Sequence, residues 1–179
     1  MADFTPLSTE RFQLRALQPS DAAALFPTLS DPKQCRYLTR PAFASEEELW
    51  GWLADPSWPG RTWIAVNREG PNAGEVAGRF TAHTAHQEDV EEIGYIVCAD
   101  RQKDGVAREC VETLVDYLFN AGVRKLTAEV DTRNVGSVRL LERLGFTREG
   151  HFREHEETHV GMCDVYWYGR LSSEHFSDK

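Results

Sequence analysis

Several features are scarce or missing in this chain of 179 residues. No stretch approaches the roughly 18 consecutive apolar residues that a membrane span requires. The first ten residues contain no basic region followed by an apolar run, so no secretory signal is visible. Lysine and arginine total 20 against 29 acidic residues, which gives a net charge of −9. These absences argue against membrane and nucleic-acid partners, because phosphate backbones are bound by concentrated basic surfaces.

The four cysteines also lack any clustered spacing. Cys35, Cys98, Cys110 and Cys163 are far apart and form no C-x-x-C pair. With no export signal, we expect reduced thiols in a cytoplasmic protein, with Cys98 and Cys110 in the core.

The patterns that are present indicate one domain of mixed α and β structure. Apolar residues alternate with polar ones in strands expected at 11–17, 62–67, 76–85, 90–98, 125–130, 146–154 and 164–171. Helical spacing follows Asp21, Ser45, Gly105 and Asn134, with Pro27 and Pro32 expected to break or kink the first helix. No repeat or linker divides the chain, so residues 1–179 are interpreted as a single domain with its core at about 10–171.

The segment His155–His159 reads HEETH, which matches the H-E-x-x-H signature of zinc proteases. In such a protease both histidines lie on one helical turn and can share a metal ion. Here the polar run around the motif has no apolar stripe, and an extended conformation would separate the histidines by about 13 Å. A zinc metalloprotease is therefore a remote alternative, and we predict no metal site.

A more informative segment joins a strand to a helix between Cys98 and Gly105. Gly105 and Ala107 leave the backbone open where the helix begins, so several N–H groups can face one small space. Together with the helix dipole, such a turn can bind a pyrophosphate.

Two motifs in this half of the chain resemble those of the GNAT acetyltransferases. The segment Gln102–Ala107 fits Q/R-x-x-G-x-G/A, and NVGSVRLLERLGF at Asn134–Phe146 is similar to the second motif of that superfamily. RFQLRAL near the start, EIGY before the loop and DVYWYGRL near the end resemble the RimJ/RimL subgroup. The resemblance covers about residues 10 to 171.

The resemblance implies a GNAT fold of the α/β (α+β) class. Its central sheet would be mixed, mostly antiparallel and splayed, with six or seven strands flanked by helices. Acetyl-CoA, as co-substrate, would enter between the strands around Val97 and Leu126. The implied contacts are the backbone of Val97, Cys98 and Ala99 for pantetheine, Gln102, Lys103, Asp104, Gly105, Val106 and Ala107 for pyrophosphate, and Asn134 and Ser137 near the pantetheine amide and thiol.

The reaction implied is direct transfer of an acetyl group to a primary amine. Ser137 is expected as the acid or thiol contact, since Leu141 occupies the position where many GNAT enzymes have a tyrosine. Glu92 is favoured as general base, with Glu154 and Glu156 as rivals.

The acceptor is expected to be a small amine or a protein N-terminus, and oligomeric state is open, although homodimers are common in similar proteins. Its pocket would draw on residues 31–55 and the hairpin after Gly150, and an aromatic wall could include Tyr37, Trp50, Trp52 and Trp58. Asp104 beside the pyrophosphate and the missing tyrosine also allow an acyl-CoA-binding module without turnover.

Overall fold

The computed structural model describes residues 4–177, and the predicted elements are found in the predicted order. The strands are β1 (Leu7–Ser8), β2 (Phe12–Ala16), β3 (Arg61–Asn67), β4 (Val76–Thr84), β5 (Val90–Val97), β6 (Lys125–Asp131), β7 (Thr147–Thr158) and β8 (Gly161–Leu171), and the helices are α1 (Asp21–Leu29), α2 (Glu46–Leu53), α3 (Val106–Asn120), α4 (Val135–Arg143) and α5 (Ser172–Ser177). Sequence patterns did not reveal β1, α5 or a 3₁₀ turn at Ala99–Arg101, because each is too short to show a period.

Local signals explain where the first two helices begin and end. Ser45 caps α2, since its hydroxyl accepts a hydrogen bond from the Glu48 N–H at 3.1 Å, as the capping-box pattern predicts. Pro27 does not end α1, which continues to Leu29, and the Ser30 N–H then donates to the Phe26 carbonyl at 2.8 Å.

Within the described residues, all eight strands form one mixed sheet in the order β1-β2-β3-β4-β5-β6-β8-β7. Every neighbouring pair is antiparallel except β5 and β6, which run parallel. The α/β class and the mostly antiparallel sheet are confirmed, with the two-residue β1 raising the strand number to eight. No helix in the described part of the chain is both long and apolar enough to cross a membrane.

Helices pack on both faces of the sheet and bury two apolar cores. One core lies under α3, whose buried residues include Cys110, Leu114 and Leu118, against strand residues such as Ile93. The other lies under α1 and α2 and includes Cys98. Cys98 and Cys110 are thus core residues, as predicted, and all four cysteines are buried and free.

The sheet opens between β5 and β6. These strands pair only at Val90–Lys125, Glu91–Leu126 and Glu92–Thr127, although β5 continues to Val97 and β6 to Asp131. The opening thus lies, as expected, between the strand that contains Val97 and the strand that contains Leu126, and Leu126 itself lies in the paired part. The gap therefore lies between the carboxyl-terminal halves of β5 and β6, and β5 leads through a short loop into α3.

Candidate active site

The turn that precedes α3 has the backbone of an anion site. Lys103 and Gly105 both adopt left-handed conformations, with φ of 70° and 78°, and Gly105 is the residue before the first turn of α3. The first N–H groups of α3 have no partner within the helix, and they carry the positive end of its dipole. This geometry agrees with the pyrophosphate site expected at Gln102–Ala107.

Asp104 turns its side chain outward. More than half of that side chain is exposed, and its carboxylate lies 3.8 Å from the Arg101 guanidinium. It does not cap α3, because Gly105 occupies that position without a side-chain bond. The negative charge is thus partly offset by Arg101 and removed from the N–H groups of the helix.

Arg11, which precedes β2, forms hydrogen bonds that stabilise the turn before α3. Its Nη2 donates to the Asp104 carbonyl at 2.9 Å, while its Nε donates to Glu109 of α3 at 2.7 Å. Glu109 also accepts from the Arg11 backbone N–H and from Thr9, and these bonds lower the pKa of the Glu109 carboxyl although burial opposes them. The loop conformation is therefore held before any ligand arrives.

The register of β5 decides which backbone groups face the gap. The Cys98 N–H donates to the Ala77 carbonyl at 3.0 Å, so the neighbouring pair Gly78–Val97 exchanges no hydrogen bonds within the ladder. The Val97 N–H and C=O consequently point away from β4 and toward the gap. By the same alternation Tyr95 presents its backbone there.

This register corrects part of the expected pantetheine contact. The Cys98 N–H is used by Ala77, and the Ala99 N–H donates to the Thr28 hydroxyl at 2.9 Å, so neither can donate to a ligand in this conformation. The Val97 N–H can still donate to a ligand, and the Val97 carbonyl accepts a hydrogen bond from the Gln102 side chain at 3.3 Å. The contact with Thr28 could not be read from local sequence because α1 is remote along the chain.

Asn134 and Ser137 lie together at the start of α4. The Asn134 side chain caps the helix by accepting from the Ser137 N–H at 3.2 Å. The Ser137 hydroxyl lies next to the phenol of Tyr95 on β5. Burial raises the pKa of this phenol to about 12, although the interaction with Ser137 lowers it. Among the described residues the phenol oxygen has no well-aligned hydrogen bond. Tyr95 was not predicted as a site residue, although it ends the EIGY segment.

Three glutamates cluster where β5 and β6 separate. Burial, together with the charges of Glu129 and Glu156, raises the pKa of Glu92 to about 7. Burial and Glu156 also raise the pKa of Glu129, while His155 lowers it. Glu129 was missed because an acidic residue in a strand usually indicates only a solvated face. Glu154, by contrast, is exposed at a bulge where its N–H donates to Asp164.

The HEETH segment is not helical. His155 belongs to β7, and His159 follows it in the turn before β8. The His155 ring packs against Phe152, whereas the His159 Nδ1 contacts the Leu38 carbonyl at 3.1 Å. In residues 4–177 no three His, Cys, Asp or Glu side chains are grouped to hold a metal ion.

Of the four residues suggested for an aromatic wall, Trp52 and Trp58 come together on the α1/α2 face. Trp52 of α2 and Trp58 of the following loop lie over Arg79 of β4, with centroids 4.5 and 5.3 Å from its guanidinium carbon. Trp50 packs at the edge of the core under α1 and α2. The Tyr37 hydroxyl donates to the Arg133 carbonyl at 3.2 Å, near the loop before α4.

Comparison with known proteins gives consistent matches. Residues 11–147 match the family model described as the acetyltransferase (GNAT) domain. The p20 protein of Bacillus licheniformis, described as an uncharacterized N-acetyltransferase, is 30% identical over 176 residues, covering 94% of this chain and 97% of that protein.

Solved structures show the same fold. A GNAT-family acetyltransferase from Bacillus anthracis has a TM-score of 0.85 at 22% identity, covering 94% of this chain and 99% of that one. The spermidine N-acetyltransferase from Vibrio cholerae, solved with CoA and spermine, has a TM-score of 0.78 at 21% identity, with 93% and 98% covered.

Proposed function

Since the chain belongs to the GNAT acetyltransferase family, we propose that it transfers the acetyl group of acetyl-CoA directly to a primary amine that approaches on the α1/α2 face. Members of this family use acetyl-CoA, which supplies the activated acetyl group as a thioester. The observation that carries the proposal is the position of Glu92, a carboxyl group with a pKa of about 7 at the head of the sheet gap.

The residues around the gap fit acetyl-CoA. The N–H groups at the start of α3 and the left-handed turn at Lys103 and Gly105 would hold the pyrophosphate. Val97 would pair with the pantetheine arm through the N–H and C=O that its register directs into the gap. Asn134 would add a contact through the part of its carboxamide not used for capping.

Glu92 would act as the general base. A base is most effective when its pKa lies near the working pH, because it is then both available and strong enough to take a proton. The Glu92 carboxylate, directly or through a water, would remove a proton from the acceptor ammonium, and the amine nitrogen would then bond to the acetyl carbon. Glu129 and Glu156 support this role by keeping the pKa of Glu92 high.

The Val97 N–H would stabilise the oxyanion that forms at the acetyl carbonyl. When the carbon–sulfur bond breaks, the leaving thiolate takes a proton from Ser137, which remains our preferred acid. Tyr95 is a second donor, since its phenol stays protonated at neutral pH and adjoins Ser137. Leu141, at the position where many GNAT enzymes have a tyrosine, is fully buried.

The proposed acceptor is a small amine or a peptide N-terminus. The spermine-bound Vibrio cholerae structure supports a small molecule, and the motifs similar to RimJ and RimL support an N-terminus. Subgroup membership, a single domain, a homodimeric state and a cytoplasmic location belong to the proposal, the last supported by four free, buried cysteines.

Asp104 and Leu141 favour one second candidate, a module that binds acyl-CoA without turnover. Two measurements separate it from the transferase: acetyl-CoA affinity by calorimetry, and CoA release with mass spectrometry of products across amines and peptides. Acetylated product that requires Glu92 supports transfer. Tight binding without CoA release from any acceptor would replace the transferase proposal by the module, and no binding would remove both.

A further inference from the structure

Arg79 is a buried cation in the middle of the sheet. Its side chain extends from β4 on the α1/α2 face, and the residue is only 7% exposed. Its Nη2 donates a long hydrogen bond of 3.3 Å to the Thr62 hydroxyl, while its buried Nε has no partner among the described residues. The mechanism above does not use this group.

No carboxylate in residues 4–177 lies within ion-pair distance of Arg79. Its guanidinium lies instead over the indole rings of Trp52 and Trp58. Burial lowers the pKa of Arg79 to about 10, so the side chain is still largely charged at neutral pH. Cation–π contacts offset part of the desolvation cost, but they leave the in-plane N–H groups free for an anion.

A buried charge without a counter-ion is unusual in a folded protein. Removing a guanidinium from water costs free energy unless a charge or hydrogen bonds compensate for it. The planar fork of an arginine is suited to a carboxylate, which it can bind through two parallel hydrogen bonds. The missing partner of Arg79 is therefore expected to be an anionic group that arrives with a ligand.

The surroundings connect Arg79 to the proposed base. On β4, Arg79 and His83 lie on the same face, and His83 is paired with Glu92 of β5. The Trp58 indole contacts both Arg79 and His83, and its ring centroid lies 6.2 Å from that of His83. It therefore lies beside the line of side chains that runs along β4 from Arg79 to His83.

Between Arg79 and His83 the same face of β4 carries Thr81, which is paired with Gly94 of β5. A Cβ built on Gly94 would lie 2.7 Å from the Thr81 hydroxyl, which occupies the space between Arg79 and His83. Four residues at about 3.3 Å each separate the Cα atoms of Arg79 and His83 by about 13 Å. An acceptor that reaches both ends needs several atoms between its amine and its anion.

We propose that Arg79 is a specificity-determining residue that binds a carboxylate of the acceptor, so that the preferred acceptor is an amine joined to a carboxylate by a chain of several atoms. Longer ω-amino acids and short peptides with a free C-terminus have this chemistry, whereas polyamines and simple alkylamines do not. The inference rests on the proposed acetyl transfer and deepens it.

The test compares straight-chain ω-amino acids with alkylamines of the same length, using kcat/KM from CoA release. A charged hydrogen-bonded pair discriminates by about 10- to 100-fold, so the wild type should prefer the amino acids by that factor at one optimal length. Arg79→Met should abolish the preference by lowering only the rate with amino acids, and Arg79→Lys should restore part of it. The KM for acetyl-CoA should not change.

Arg61→Met is the matched control. Arg61, on β3, also stacks on aromatic rings, but it is on the opposite face and is paired with Glu91. This variant should keep the preference for amino acids. Folding of Arg79→Met is checked by its melting temperature, which should not fall because an unpaired buried cation is removed.

Equal rates with both acceptor series in the wild type, or a preference that survives in Arg79→Met, would overturn the role of Arg79. If Arg79→Met does not fold, the Arg79→Lys ratio decides: an undiminished preference would contradict the inference, and a reduced one would support it. A wild type that acetylates no amine at all would instead refute the proposed function, so the two failures are distinguishable.

Discussion

Replacing Glu92 by glutamine should lower activity and raise stability at the same time. The folded protein raises the pKa of Glu92 from 4.5 to about 7, which means that its charged form is less favourable in the folded state than in the unfolded chain. Below about pH 4.5 the Glu92 carboxyl is protonated in both states and does not lower the free energy of unfolding. As pH rises from about 4.5 to about 7, ionisation of the unfolded chain progressively destabilises the fold.

The magnitude follows from the difference between the two pKa values. At 1.36 kcal/mol for each pH unit, the upper bound is about 3 kcal/mol above pH 7. Glu92 is only partly buried, and solvent screens part of the repulsion from Glu129 and Glu156. We therefore expect Glu92→Gln to gain about 1–2 kcal/mol in free energy of unfolding at pH 8, and close to none at pH 4.5.

Urea unfolding at both pH values measures this difference, and kcat/KM measured by CoA release gives the catalytic effect. The variant should lose about 10²- to 10⁴-fold in kcat/KM, and wild-type activity should rise with pH through about 7. Glu91→Gln is the control, because Glu91 points to the opposite face and is paired with Arg61, so its loss should destabilise the fold. A Glu92→Gln variant that is fully active, or less stable than wild type at pH 8, would refute the reasoning.

Five further substitutions test the turn before α3 as a pyrophosphate site and the identity of the proposed acid. Gly105→Ala and Gly122→Ala each force alanine into a left-handed conformation at one end of α3, so both should lose about 1–2 kcal/mol in thermal unfolding, but only Gly105→Ala should raise the KM for acetyl-CoA. Equal KM values in both would argue against the pyrophosphate site. Asp104→Asn should lower the KM for acetyl-CoA a few-fold without changing kcat, an effect that should fade at high salt. Ser137→Ala should reduce kcat more than Tyr95→Phe if the serine is the acid, and the reverse order in CoA-release kinetics would assign that role to the phenol.

Local patterns in the sequence predicted most of the secondary structure and the turn that leads from β5 into α3. The apolar spacing of α3 agrees with its buried residues, and Ser45 caps α2 as expected. Gly105 indicated the start of a helix, and in the structure it directly precedes α3 with φ of 78°. These features depend on neighbours a few positions away, so the sequence alone contains the information.

Tertiary structure decided which of the candidate groups can act. The sequence does not distinguish Cys98 and Ala99 from Val97, yet their N–H groups donate to the Ala77 carbonyl and the Thr28 hydroxyl. Glu92 is a better candidate base than Glu154 because it is buried and lies near charges on β6 and β7. That Arg79 lacks a counter-ion is visible only when every surrounding element is in place. Solvent access, hydrogen-bond competition and electrostatic coupling are set by residues distant in sequence, and for that reason no local pattern could reveal them.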